Sequence, residues 1–222
     1  MQGIDSLSSW PNPPGTKDPI VYLARNALFS TRSFAVATGQ RMDSASRWLG
    51  GLARRDALVR VTRGVWAQLE HPAFTPYAAT GLLIGNEHGY VSFVSALHRR
   101  GVLSQIPGGI QVATTGHGRT LDSPIGRFEF LQLRPPMMTD GIEMSETEPP
   151  YAIATAEKAL LDTFYIGTRR GNRYQRLPEL DLSDIDHRVL AELLERQVTA
   201  RPIRQAIATR LAGLAQASAT RP

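Results

Sequence analysis

The residues best placed to do chemistry in this chain are arginines. The stretch RMDSASRWLGGLARRDALVRVTRGVWAQ, residues 41–68, holds Arg41, Arg47, Arg54, Arg55, Arg60 and Arg63 against two acids, Asp43 and Asp56. A guanidinium is permanently charged, and its planar fork of donors matches phosphate oxygens and the O6/N7 edge of guanine. Ser44 and Ser46, beside Arg47, add hydroxyls that donate or accept. Such a set suits recognition of a polyanion rather than bond breaking.

A second cluster, AEKALLD, places Glu157, Lys158 and Asp162 close in sequence, residue types that serve metal-assisted phosphoryl transfer. As a helix, however, it puts Glu157 at the N-terminal end, where a carboxylate suits the dipole. Asp162, five residues on, falls off that face, and Leu160, Leu161 and Phe164 make a core contact. A structural helix is therefore expected. The histidines His71, His88, His98, His117 and His187 show no metal-ligand spacing. No nucleophile elbow, P-loop or dinucleotide-binding glycine motif occurs. The expectation is a protein with no catalytic residues, no metal and no cofactor, hence not an enzyme.

With 222 residues the chain is long enough to bury a sizeable core. It has no cysteine, so disulfide, thiolate-metal and thiol-nucleophile chemistry are excluded. No apolar run reaches the ~18 residues of a membrane span, and the N-terminus lacks a basic-then-apolar leader. A soluble, cytoplasmic protein without a membrane partner is expected. The net charge is +5, and among the basic residues only Lys17 and Lys158 are lysines. Since arginine is favoured throughout, position carries more information than residue type. From Pro19 to Glu70 eight arginines face three acids, an excess equal to that of the whole chain.

The elements that must position these arginines follow from periodicity and punctuation. Residues 1–18, rich in Ser, Pro, Asn and Gly, read as a flexible lead. Residues 19–29 read as a helix opened by Pro19, 32–38 as a second stopped by Gly39, and 43–56 as a third capped by Asp43. LVRV and VWAQL flank TRG as a hairpin. The order predicts a winged helix-turn-helix over residues 19–70, a linker HPAFTP at 71–76, and a mixed α/β domain over 77–222 that ends in helices. The fold class expected is thus α+β.

On the third helix Ala45, Trp48, Leu49 and Leu52 form the buried stripe. Ser44, Arg47, Gly51 and Arg54 or Arg55 fall opposite. Arg47, Ser44 and Ser46 are expected to meet base edges, and Arg41, Arg54, Arg55, Arg60 and Arg63 to meet phosphates and groove, with Arg63 at the hairpin tip. TRRGNRYQR, with Arg169, Arg170, Arg173 and Arg176 around Tyr174, reads either as a solvated loop or as a second patch. Exposure of the Tyr174 ring for stacking would distinguish the two. Ile203, Ile207, Leu211 and Leu214 form one face of the last helix, for core packing or a dimer contact.

ATGQRMDSASRWLGGLARRDALVRVTRGVWA, followed by YVSFVSALHRRGVLSQIPGGIQVATT and AIATAEKALLDTFY, resembles the AbiEi family, antitoxins of type IV toxin–antitoxin systems and regulators of phage-defence operons. The resemblance spans roughly Pro19 to Leu180 and rests on the order of diffuse motifs. It implies a winged helix that binds inverted repeats in the operon's own promoter and represses it. It also implies a C-terminal domain that counteracts a nucleotidyltransferase-like toxin, with or without direct contact. The residues alone leave two rivals open. One is a stand-alone winged-helix transcriptional regulator with a ligand-sensing C-terminal domain, and the other is a phosphoryl-transfer enzyme anchored to DNA.

Overall fold

The computed structural model describes residues 17–169, 174, 177 and 179–219. The polar lead expected at 1–18 lies outside the described residues apart from Lys17 and Asp18. The fold is α+β, in two compact units. The first takes residues 17–88 with the short segments 122–126 and 146–151, and the second takes the remainder.

In the first unit, α1 (Pro19–Arg25) starts where the Asp18 carboxylate accepts the Ile20 N–H at 2.8 Å. The helix expected to reach Phe29 stops four residues earlier. Asn26 turns into extended backbone, and its side-chain amide donates to the Tyr22 carbonyl at 2.7 Å. Leu28–Ser30 then becomes β1, because its backbone pairs with Val65–Ala67, and that pairing outweighs a helical apolar pattern. Helix α2 (Thr31–Thr38) opens with a reciprocal cap between Ser30 and Ser33 and ends at Gly39, whose φ of 68° is left-handed.

Helix α3 (Met42–Ala53) is capped by Arg41, not by the expected Asp43, and receives no side-chain bond there. Asp43 sits inside the first turn, where its charge still suits the dipole. The helix ends at Ala53 rather than near Asp56, which adopts φ 58° in the turn that follows. Strands β2 (Val59–Thr62) and β3 (Val65–Ala67) form the expected hairpin, and β1 joins it to give an antiparallel sheet in the order β1-β3-β2.

The core of this unit joins Tyr22, Phe29, Phe34, Ala45, Leu49, Leu58 and Trp66. Tyr22 meets Phe29 and Phe34 edge-on, with centroids 5.5 and 5.3 Å away, and Trp48 stacks on Phe34 at 5.2 Å and 13°. Residues 71–76, expected as a linker, are instead bonded to α1. His71 Nε2 lies 3.1 Å from the Ala24 carbonyl, and its Nδ1 accepts the Ala73 N–H at 3.1 Å. The unit continues through a 3-10 turn (Pro76–Ala78) and α4 (Ala79–Ile84), so the division falls at His88 rather than at 76.

The second unit contains β4 (Gly89–Val91), α5 (Phe93–Arg99), β5 (Ile110–Thr114), β6 (Arg119–Ser123) up to Leu121, β7 (Gly126–Gln132) from Arg127, a 3-10 turn (Pro135–Met138), β8 (Ile142–Met144), β9 (Ala152–Ala154), α6 (Ala156–Arg169), α7 (His187–Gln197) and α8 (Arg201–Ala219). The sheet runs β6-β7-β5-β4-β9-β8 and is mixed, with β5–β7 and β4–β9 parallel. Helix α5 begins at Phe93, with Ser92 as its N-cap. Val91 is claimed by strand pairing on both sides, with Val112 and Ile153. Helix α6 is buried from Lys158 to Gly167 and packs against α5, α7 and α8.

The aromatic and aliphatic contacts of α3 yield a stability prediction. Leu49 is fully buried, so Leu49→Ala should cost about 2–5 kcal/mol. Trp48 is only half-buried, so Trp48→Ala should cost less than the ~3–5 kcal/mol of a fully enclosed Trp. Urea unfolding of the full chain checks this, followed by circular dichroism so that loss of Trp48 does not remove the signal. Equal costs for the two would show that α3 is rotated from the orientation described.

Candidate nucleic-acid interface

Helix α3 lays Ala45 and Leu49 on the core, with Leu52 and Ala53 packed partly against it. At 100° per residue this turns Asp43, Arg47, Gly50, Gly51 and Arg54 outward, with Ser44 and Arg55 on one flank and Ser46 on the other. Arg41, Ser44, Ser46, Arg47, Arg54 and Arg55 are all exposed. Arg47 folds back along the helix, its Nε donating to the Asp43 carbonyl at 3.3 Å.

The hairpin is fixed from beneath. Gly64 takes φ 81°, which a residue without Cβ adopts freely, and its carbonyl accepts the Thr31 N–H at 2.8 Å. This bond ties the turn to the start of α2 and leaves Arg63 exposed at the tip. Trp66, buried, donates its indole N–H to Thr31 Oγ1 at 2.8 Å, and the Arg60 guanidinium lies over its ring, 5.8 Å from the centroid. The register slips between Arg60 and Thr62, a local irregularity of the kind that re-aims side chains.

All eight residues expected from the sequence are therefore on the surface: six in or at the start and end of α3, and Arg60 and Arg63 on the hairpin. None of their guanidiniums has a carboxylate partner among the described residues. Positive charge left unneutralised on one outward helix face and one tip can attract an anion and lay several forks along it.

The second basic patch fares differently. Arg170, Arg173 and Arg176 lie outside the described residues. Tyr174 does not offer its ring for stacking. It is half-buried, stacks on Phe93 at 6.3 Å, and donates its hydroxyl to Gln111 Oε1 at 2.9 Å. Arg210 donates to the Tyr174 carbonyl at 2.9 Å and covers the Phe164 ring at 4.7 Å. On α8, Ile207 packs into the core, whereas Ile203, Leu211 and Leu214 are half-buried.

The sequence reading missed one site. Asp162 was expected off the working face of its helix, yet it is fully buried with Lys158, four residues earlier, in an ion pair. Tyr90 and Ser92 donate their hydroxyls to Asp162 Oδ2 at 2.8 and 2.7 Å. Ser92 is the N-cap of α5, but its hydroxyl is diverted to this carboxylate instead of capping the helix. Glu157 is separate, accepting the Asp186 N–H at 3.1 Å. The available signal was a Lys and an Asp four apart in an otherwise apolar run. Burial pulls the Lys158 ammonium below its ordinary range, opposed by Asp162 and Asp140, and pushes the Asp162 carboxyl up, opposed by Lys158, Ser92 and Tyr90. Burial and then Asp162 raise the Tyr90 phenol well above its usual value.

This quartet is sealed from solvent, so it braces β4, α5 and α6 rather than meeting a substrate. Among the described residues no group of three His, Cys, Asp or Glu side chains could hold a metal, and no helix is long and apolar enough to cross a membrane. No protein-family model matches the chain, and no curated protein matches it.

The pair predicts a non-additive mutant cycle. Asp162→Asn keeps an oxygen for the two hydroxyls but strands a buried ammonium, and should cost about 3–5 kcal/mol. Lys158→Met added to Asp162→Asn removes that ammonium and should recover most of the loss. Chemical unfolding of the two variants measures this. A double variant worse than Asp162→Asn would mean that the ion pair, not its satisfaction, stabilises the unit.

Proposed function

We propose that the first unit is a winged helix-turn-helix that binds duplex DNA, with α3 entering the major groove and the β2–β3 turn as the wing. The observation that carries this reading is the set of exposed arginines, without carboxylate partners among the described residues, on the outward face of α3 and on the hairpin tip. The element order α1-β1-α2-α3-β2-β3 and the left-handed turn at Gly39 between α2 and α3 support it. Arg47, Ser44 and Ser46 would meet base edges, and Arg41, Arg55, Arg60 and Arg63 phosphates and groove. Inverted repeats would call for two copies.

The resemblance to AbiEi antitoxins supports a fuller proposal. The protein represses its own operon in the cytoplasm, and its second unit counteracts a nucleotidyltransferase-like toxin without itself being an enzyme. A sealed ionic brace in place of an open carboxylate cluster agrees with the non-enzymatic part of that proposal.

A band shift on the protein's own promoter tests the DNA-binding half. Four to six phosphate contacts should give a log–log salt slope of about −4 to −5 per bound copy. Arg63→Ala should weaken all sequences alike, whereas Arg47→Ala should cost about 1–3 kcal/mol on the operator and relax one position. A salt-independent shift would sink the assignment.

The antitoxin half is tested in cells that co-express the product of the adjacent reading frame. The full chain should rescue growth, and an Arg47→Ala/Arg63→Ala variant should still rescue while failing to repress. Loss of rescue together with repression would tie protection to DNA binding and remove the proposed division of labour.

A further inference from the structure

We infer that Gly50 and Gly51 form a seat for Arg54, and that the seated Arg54 is a second guanine-reading fork on α3; the inference rests on the DNA-binding reading above. Two adjacent glycines inside a helix are unfavourable, since glycine loses the most backbone freedom on folding. The usual structural reasons do not apply here. Both lie within regular α3, neither has a positive φ, and no neighbouring element packs close to them. A Cβ built on Gly50 would meet only Arg54 Nη1, at 3.9 Å, and one built on Gly51 only Arg54 Nη2, at 3.9 Å. The fork of Arg54 therefore lies across the pair, one terminal nitrogen above each glycine.

The consequence is positional. Arg54 stands at the end of α3, where an arginine would ordinarily reach a backbone phosphate. Its side chain runs back toward the helix N-terminus by about one turn, ~5 Å, and brings its charge onto the face that carries Arg47. Arg47 folds back in the same sense, onto the Asp43 carbonyl. The forks start from residues seven apart, which at ~1.5 Å per residue is about 10 Å, or roughly three base steps of ~3.4 Å. The geometry points to two guanines about three base pairs apart in one half-site, each held by one fork at O6 and N7.

Selection of the full chain against a randomised duplex library, with band shifts on the preferred and a scrambled duplex, tests this. Arg54→Ala should lose roughly tenfold on the preferred duplex and little on the scrambled one, and should relax a position about three base pairs from the one relaxed by Arg47→Ala. Gly51→Gln, which places side-chain atoms where the fork lies, should reproduce that loss and should not worsen Arg54→Ala when the two are combined. Gly51→Ala, whose Cβ makes ordinary contact at 3.9 Å, should keep the preference and melt at a higher temperature. Equal weakening of both duplexes by Arg54→Ala would make it a phosphate contact and overturn the inference, as would full preference in Gly51→Gln or additive losses in the double variant. Wild-type protein that shifts no duplex would overturn the DNA-binding reading as well. Wild-type and Arg47→Ala behaviour as expected, with Arg54→Ala and Gly51→Gln unchanged, would overturn both the seat and the second fork and leave the DNA-binding reading standing.

Discussion

The rotation of α3 about its own axis is the constraint on which the rest of the candidate interface depends. It is set by Leu49 and Ala45, both without solvent exposure, and by the stacking of Trp48 on Phe34. Phe34 is in turn wedged edge-on against Tyr22. A rotation of one residue, 100°, would carry Leu49 toward solvent and Arg47 toward the core. The arginines are outward because apolar contacts on the far side of the helix leave them no other choice. The tyrosine hydroxyl that ends this chain of contacts bonds Ser33, so α1, α2 and α3 are held by one continuous set of side chains.

The two units handle charge in opposite ways. In the first, guanidiniums stay in water and go without carboxylate partners, which leaves their field available to a ligand and costs no desolvation. In the second, Lys158 and Asp162 are removed from water altogether, and the penalty is offset by their mutual attraction and by the hydroxyls of Tyr90 and Ser92. That arrangement costs Ser92 its capping bond, and α5 begins with Phe93 in a left-handed conformation, φ 55°, that bulky residues avoid. The local concessions around Asp162 are what a satisfied buried carboxylate requires.

Much of the first unit was legible in the chain. The three helices, the hairpin and the outward set of Ser44, Arg47, Gly51 and Arg54 or Arg55 follow from spacing at i, i+3, i+4 and i+7, because a helix surface repeats with a period that side-chain polarity records. Gly39 and Gly64 were visible as turns for the reason that only their lack of a Cβ makes such backbone cheap. The strands β1, β4, β6 and β8 were not legible. Each is three to five residues long, and Leu28 and Phe29 of β1 were absorbed into the preceding helical pattern. A strand that short is defined by the partner it bonds, and Phe29 opposite Trp66 or Val91 opposite Ile153 is a pairing between residues far apart in the sequence.

The sequence by itself determined where arginine exceeds acid, which helix face Ser44, Arg47 and Arg54 share, and that no cysteine or ordinary metal-ligand spacing exists, since all of these are local properties. Only the tertiary structure decided that Lys158 and Asp162 face each other in a sealed interior, that Tyr174 turns its ring onto Phe93, that Arg60 lies on Trp66, and that residues 71–76 belong to the first unit through His71. Each depends on which segments meet in space, and burial changes the energetics of a charge or a ring far more than its sequence neighbours do.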